Sequence, residues 1–156
     1  MGLAEKEIID IQLSNPKRKY RINGDNNSII ELNPSDLGIV TRMKEVYKQL
    51  DSYAQKAGSL LAETTDETEE ESLDRLTENL SELDKSMRDM VDYLFDSPVS
   101  AVVAKDQKMY NLYNGQFWFE HVIEVLSGLY ENNFNQEFNK LSARVKKHTD
   151  KYTRKH

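Results

Sequence analysis

The chain has 156 residues, enough for one domain whose core needs no metal or disulfide. It contains 38% hydrophobic and 31% charged residues, a composition typical of elongated helices with much exposed surface. The absence of cysteine excludes disulfides and thiolate chemistry and favours the cytoplasm. No apolar run is long enough to span a bilayer, and the N-terminus lacks a secretory signal pattern, so we expect neither a membrane protein nor an exported one.

Charge is divided unequally along the chain, whose net charge is −6. From Lys140 to the end there are seven Lys or Arg against one acid, Asp150, whereas the preceding part is strongly acidic. An acidic body disfavours general nucleic-acid binding, because phosphate contacts need clustered cations. The basic tail at 151–156 is predicted to be a solvated end whose cations suit the C-terminal dipole of a helix. We therefore expect no nucleic-acid partner.

The first residues predict a small β element over 8–32. The segment 8–13 alternates apolar and polar residues and is rich in β-branched ones, which predicts a strand. Two further strands are predicted over 19–23 and 28–32, joined by residues that tolerate left-handed backbone angles. A hairpin or meander of this size must pack on helices or join another chain's sheet.

The apolar period then lengthens and predicts an αα-hairpin over 34–95. Asn33 is expected to cap the first helix, with Pro34 in its first turn. Its apolar stripe comprises Met43, Val46, Leu50, Tyr53, Ala57 and Leu60. An acidic connection follows over 63–71, where Thr68 and Glu71 form a predicted capping box for the second helix.

The second helix has the cleanest pattern in the chain, a heptad seam whose members lie alternately three and four residues apart. The seam comprises Leu73, Leu76, Leu80, Leu83, Met87, Met90 and Leu94. One interpretation is structural, because the seams of two antiparallel helices cover each other. The other is functional: part of the seam binds a partner's helix, and methionine supplies adaptable contacts. These seven residues are therefore the candidate partner-binding residues.

C-terminal helices are predicted over 98–150. Pro98 is expected in the first turn of a short apolar helix over 99–104. The last helix has a wide apolar face that belongs inside a domain, and its apolar stripe continues into the basic end. The members of that continuation are Phe134, Phe138, Leu141 and Val145. Together with the preceding elements, these helices predict one mainly α (α+β) domain spanning 1–156.

The aromatic stretch YNLYNGQFWF, at 110–119, has two interpretations: a stacking platform for a ligand, or a buried corner of the fold. Base stacking needs a basic surround, and the nearby cations Lys105 and Lys108 are offset by acids. We therefore predict a corner that docks the last helix, with Asn114 as its cap. If Trp118 is fully buried there, its replacement by Ala should cost about 3–5 kcal/mol.

Catalytic signatures are missing from the sequence. His121 stands beside Glu120, but adjacent helical residues point in different directions and do not converge on one proton or metal. No glycine-rich phosphate loop or nucleophile motif is present, and the acids that flank the seam are typical of solvated coiled-coil positions. We expect a protein that is not an enzyme and that has no metal and no cofactor.

The succession of these elements resembles a known family. A short β element with ING and IIELN is followed by a helix opening on NPSDLGIVTRMKEVY and, after a charged break, by a second helix ending in YLFDSP. The aromatic helix YNGQFWFEHVIEVLSGLYE and the basic end KHTDKYTRKH complete it. This order resembles the tail assembly chaperones of long-tailed phages and prophages of Gram-positive bacteria.

The resemblance implies a non-enzymatic assembly factor in the host cytoplasm. Such a chaperone binds the long helical tape measure protein, keeps it soluble and helps to recruit the major tail protein. It also implies self-association, as a homo-oligomer or an open array. The alternative is a helical adaptor or coiled-coil dimerisation protein, for which the 73–94 seam alone is the evidence.

Overall fold

The computed structural model describes residues 7–62 and 68–153. The elements, in chain order, are β1 (Arg18–Arg21), β2 (Ile29–Leu32), α1 (Ile39–Ala62), α2 (Glu69–Phe95), α3 (Ser100–Val103), β3 (Leu112–Tyr113), β4 (Gln116–Phe117) and α4 (Trp118–Thr153). The predicted class is confirmed: the chain is mainly helical, with a small antiparallel hairpin before the helices. Most of the acidic connection predicted over 63–71 and the end of the basic tail, 154–156, lie outside the described residues, as do the side chains of Ala57 and Leu60.

Strands β1 and β2 pair antiparallel, with Arg18 opposite Leu32 and Arg21 opposite Ile29. Their connection contains a left-handed residue at Gly24, with φ +71°, as the sequence of the loop predicts. Along β2 the side chains alternate between exposed and buried, and Ile30 and Leu32 enter the core. The hairpin therefore packs one face on the helices, as its small size requires.

The strand predicted over 8–13 is wrong, because residues 8–17 lie in neither a strand nor a helix. Alternation of apolar residues indicates a strand only where a second strand supplies the hydrogen bonds. In the described chain β1 pairs with β2 alone, and residues 8–13 lie outside that sheet. Their apolar side chains are exposed.

The first helix begins later than predicted, at Ile39. The Asn33 side chain accepts a hydrogen bond from the Ser35 amide at 3.1 Å, and Asp36 accepts one from the Gly38 amide at 2.9 Å. These local turns compete with helix formation, so Asn33 closes a turn and does not cap the helix.

The second helix begins where its cap was predicted. The Thr68 hydroxyl accepts a hydrogen bond from the Glu71 amide at 3.2 Å. The helix ends at Asp96, whose left-handed backbone, with φ 48°, redirects the chain. Pro98 does not open the next helix, since Val99 occupies the cap position of α3.

Helices α1 and α2 form the predicted antiparallel hairpin. The Arg42 guanidinium, near the start of α1, donates from Nε to the carbonyl oxygen of Leu94, near the end of α2, at 2.8 Å. Val46 is buried between the two helices and the rest of the core. The core is completed by β2 and α4 through Ile30, Leu32, Phe119, Val122, Ile123, Leu126 and Tyr130.

The aromatic stretch forms a corner, but not through the predicted cap. Asn114 and Gly115, with φ +50° and +80°, are the two central residues of a tight turn between β3 and β4. Both positive angles match the turn that favours an Asn-Gly pair in two-residue hairpins. Helix α4 begins three residues after Gly115, at Trp118, and Phe119 is fully buried.

Trp118 is only half-buried, and its indole Nε1 donates to the carbonyl oxygen of Val103 at 3.1 Å. Replacement of Trp118 by Ala is therefore expected to lower the free energy of unfolding by less than the about 3–5 kcal/mol predicted for a fully buried side chain. The residue that fixes the start of α4 in the core is Phe119. The asparagines at 132 and 133 do not interrupt α4, which runs 36 residues, or about 54 Å.

Candidate functional site

The heptad seam of α2 divides into two halves. Leu83, Met87, Met90 and Leu94 are buried in the core, with 0–6% of each residue exposed. Towards the start of α2, Leu80 and Leu76 are half-buried and Leu73 is 57% exposed. The buried half faces α1 and the rest of the core, so in this structure it offers no surface to a partner. Partner binding remains a prediction for the first three leucines alone.

A larger apolar surface lies between α1 and α4. The helices enclose an open groove of about 890 Å³, which we call the α1–α4 groove. Its apolar lining comprises Ile39, Val40, Met43, Tyr47, Tyr130, Phe134 and Phe138. Val40 and Tyr47 are 63% and 60% exposed, so the groove is accessible at these two positions of α1, whereas Ile39 is buried.

The floor of the groove is electrically neutral. Burial raises the pKa of Tyr130 to about 12, so its phenol stays protonated through the physiological range. The α1 side carries two cations, Lys44 and Lys48, and the α4 side carries Glu131. An apolar trough with lysines along one edge can hold an apolar segment that carries acids on its outer side.

Helix α4 extends the apolar surface beyond the groove. Phe134, Phe138 and Leu141, which we call the α4 stripe, follow each other at intervals of four and three residues and therefore lie on one face. Phe138 is 47% and Leu141 43% exposed, and the aromatic rings of Phe134 and Phe138 lie 6.3 Å apart. Contiguous exposed apolar surface of this kind is typical of an interaction site.

The ends of the groove are held in place by polar contacts. Asn133, which is buried, donates from Nδ2 to the carbonyl oxygen of Pro34 at 3.1 Å and to the Ser35 hydroxyl at 3.0 Å. Asp36 accepts a 2.8 Å hydrogen bond from the Arg42 guanidinium, which lowers the pKa of that carboxyl below its ordinary 3.8. The Asn133 contacts fix the turn before α1 against the middle of α4, and the Asp36 contact holds the Arg42 guanidinium at the start of α1.

A second, smaller cleft of about 380 Å³ lies beside the aromatic corner. His121 contacts the rings of Tyr113 and Trp118, at centroid distances of 4.6 and 5.1 Å. Asp25, on the far side, accepts a hydrogen bond from the Ser28 hydroxyl at 2.7 Å, and this bond lowers the pKa of its carboxyl. His121, which is half-buried, is thus packed among aromatic rings.

A metal site needs several ligating side chains close together, and the structure describes residues 7–62 and 68–153. Within those ranges no group of three or more His, Cys, Asp or Glu side chains lies together so as to hold a metal ion. Burial raises the pKa of the Glu120 carboxyl beside His121. No helix in the described part of the chain is long and apolar enough to cross a membrane.

The sequence pattern missed the groove itself. The α1 residues that line it, Val40, Met43 and Tyr47, repeat at i, i+3 and i+7, beside the stronger stripe that faces α2. This second stripe was the available signal. The α4 stripe was visible in the sequence, but only the structure shows that it lies across from α1.

Comparison of the chain with protein-family models, with curated proteins and with solved structures finds no match. What the protein binds is therefore inferred from the residues of the groove and the stripe.

Proposed function

We propose that this protein is a non-enzymatic tail assembly chaperone that receives an amphipathic helix of the tape measure protein in the α1–α4 groove and along the α4 stripe. It keeps that long helical partner soluble in the host cytoplasm and helps to recruit the major tail protein. The observation that supports the proposal is the open apolar groove of about 890 Å³, continued by exposed Phe138 and Leu141.

The shape of this surface suits a helix. Side chains of α1 and of α4 line the groove, and a partner helix that packs its apolar face on both would bury them. Aromatic side chains on both ridges supply the large contact area that dominates the energy of such interfaces. Met43 adds a flexible side chain that adapts to different partner residues.

Charge favours a partner helix with acidic flanks. Lys44 and Lys48 border the groove, and Lys140 and Arg144 are exposed on the distal part of α4. Nearby acids moderate this charge, because Lys48 pairs with Glu45 at 3.8 Å, Lys140 pairs with Glu137 at 3.5 Å, and Glu131 lines the groove. The preference for acidic flanks is therefore weak.

The second candidate function is a coiled-coil dimer through α2. The exposure of Leu73 favours it, since a leucine at the start of a heptad seam can contact the same residue of a second copy. The buried half of the seam shortens that interface to three leucines, so we place this candidate after the groove.

Co-expression with a tape measure protein tests the proposal. The wild-type protein should raise the soluble fraction of the tape measure protein, and Leu141→Asp should abolish that gain because a charge enters the apolar stripe. Ser142→Asp is the matched control: Ser142 is exposed, and it adds the same charge one position away, on another face of α4.

The results of this experiment distinguish binding through the groove and the α4 stripe from dimerisation through α2. Equal solubilisation by the wild type and by Leu141→Asp, with both folded by circular dichroism, would refute the proposed binding surface. Loss of activity in Leu73→Asp, with Leu141→Asp fully active, would favour the α2 dimer instead.

A further inference from the structure

The two edges of the N-terminal sheet differ. On the β2 side, the carbonyl oxygen of Glu31 accepts a 2.7 Å hydrogen bond from the Ser97 hydroxyl, which caps that edge. On the β1 side, no further strand pairs with β1 in the part of the chain that the structure describes. Three of the four residues of β1 are exposed. The sheet therefore has one capped edge and one open edge, and the open edge belongs to β1.

The register shows which backbone groups the open edge presents. The Ile22 amide donates to the Ser28 carbonyl oxygen at 2.8 Å, and hydrogen-bonded and non-hydrogen-bonded pairs alternate along an antiparallel ladder. Lys19 and Arg21 are therefore in non-hydrogen-bonded pairs, and their N–H and C=O groups point away from β2. The open edge thus offers two donors and two acceptors in the arrangement that another extended strand can pair with.

The open edge is also basic. Its exposed cations are Lys17, Arg18, Lys19 and Arg21. Among the described residues, none of these cations forms an ion pair with a carboxylate. Two acids of the hairpin moderate the charge: Glu31 lies on β2, away from the open edge, and Asp25 accepts hydrogen bonds within the loop. The open edge is therefore positively charged in a chain whose net charge is −6.

A strand added to this edge would have different surroundings on its two faces. The face of the sheet that carries Ile30 is buried and points towards the helices, whereas Lys19 and Arg21 lie opposite exposed residues of β2, on the solvent face. Val125 of α4 is 56% exposed and lines the smaller cleft together with Ile22, the residue after β1. Apolar side chains therefore suit one face of the added strand, and acids suit the other.

We propose that the open edge of β1 binds an extended segment of another protein in which acidic and apolar residues alternate, as a third strand of the sheet. The acids pair with Lys19 and Arg21, and the backbone of the segment bonds to the outward N–H and C=O groups of the same two residues. Cations on an edge strand deter pairing with strands that lack acids, and the β1 edges of two copies repel each other. The inference goes beyond the proposed function and does not involve the α1–α4 groove.

A synthetic peptide of about eight residues, in which glutamate and valine alternate, is the probe. Titration calorimetry with the full chain measures its Kd, and hydrogen exchange followed by NMR locates its contact. With the peptide at about ten times its Kd, the amides of Lys19 and Arg21 should exchange about tenfold more slowly. The Tyr20 amide, which points towards β2, should change little.

Two double variants and a second peptide test the cause of binding. Lys19→Glu with Arg21→Glu changes only exposed side chains and should weaken binding about tenfold or more, because two attractive cross-strand pairs become repulsive. Lys146→Glu with Lys147→Glu, at exposed positions of α4, is the matched control and should keep the wild-type Kd. A peptide whose glutamate amides are methylated keeps every charge but lacks the N–H donors, so it should bind much more weakly.

A wild type that does not bind the peptide would overturn the proposal. So would unchanged exchange of the Lys19 and Arg21 amides, equal binding of the methylated peptide, or equal losses in the two double variants. A single-stranded oligonucleotide that binds as tightly as the peptide would show a general anion site and would also overturn it. Wild-type protein that solubilises a tape measure protein but does not bind the peptide would refute the edge contact alone, since Leu141→Asp changes the α4 stripe and should leave peptide binding intact.

Discussion

Helices α2 and α4 each carry an apolar stripe at heptad spacing, and the structure uses them in opposite ways. The longer and more regular seam, on α2, is buried from Leu83 to Leu94 against the rest of the chain. The shorter stripe on α4 is exposed at Phe138 and Leu141. Regularity of a pattern thus indicates a helix with one apolar face, but not whether the cover comes from the same chain or another.

The largest expected difference between the two stripes is in stability. Leu94→Ala removes a fully buried side chain, and it should lower the free energy of unfolding by about 2–5 kcal/mol. Leu141→Ala makes the same chemical change on the exposed stripe and should stay within about 0.5 kcal/mol of the wild type. Urea unfolding followed by circular dichroism measures both. Equal losses would show that the α4 stripe is covered within the monomer.

The buried half of α2 also depends on one polar residue, Asp84. Its Oδ1 accepts from the Met109 amide at 2.8 Å, and its Oδ2 pairs with the Arg88 guanidinium at 2.8 Å. Asp84→Ala leaves the buried Met109 amide without an acceptor and should lower the free energy of unfolding by about 2–3 kcal/mol. Loss of the Arg88 pair adds little to this, because Arg88 is partly solvated.

Asp84→Asn tests the cause of that loss. Its side-chain oxygen can still accept from the Met109 amide, so it should recover part of the lost free energy of unfolding. Thermal or urea unfolding of the two variants side by side gives the comparison, and no recovery would assign the loss to the Arg88 pair alone.

Asn133 is a buried polar residue of α4 and lies at the boundary between the buried and exposed halves of that helix. Asn133→Ala removes both hydrogen bonds to the turn before α1 and should cost about 1–2 kcal/mol in urea unfolding. Because this contact joins α4 to the turn before α1 beside the groove, the proposed function also predicts that the variant binds a tape measure helix more weakly. Asn132→Ala, at an exposed neighbouring position, is its control, and an identical loss in both would contradict the assigned role.

The sequence was informative where one segment decides the structure by itself. Residues Thr68 to Glu71 contain both the cap and the amides that it binds, so the start of α2 could be predicted. The left-handed backbone in the loop between β1 and β2 could likewise be predicted from the residues of the loop alone. The class of the fold, a small hairpin before an αα-hairpin, followed from these periods and breaks.

The predictions that were wrong share a cause, because the structure of each of these segments depends on a distant or competing contact. Residues 8–13 have the pattern of a strand but no neighbouring strand among residues 7–62 and 68–153, and Asn33 closes a turn in place of a helix cap. Asn114 belongs to a hairpin whose strands are only two residues long. The groove required knowing that Tyr47 and Phe138 lie across from each other, which no local pattern contains.

The smallest expected effect concerns the acid Asp36, which accepts a hydrogen bond from Arg42, the residue that joins the start of α1 to the end of α2. The Arg42 hydrogen bond lowers the pKa of Asp36 in the folded protein below 3.8, its ordinary value. A depressed pKa means that the stabilisation is complete above the unfolded value and is lost as the pH falls through the folded one. The Asp36 side chain is 31% exposed, so the stabilisation should be small, as it is for other partly exposed ion pairs.

Asp36→Asn removes that titration while keeping a side chain of the same shape. At neutral pH the wild type should be the more stable of the two, as measured by urea unfolding. As the pH falls below 3.8, the wild type should lose slightly more stability than the variant, so the difference between them should shrink. Parallel pH profiles would show that the Arg42 guanidinium holds α1 to α2 through the Leu94 carbonyl without help from Asp36.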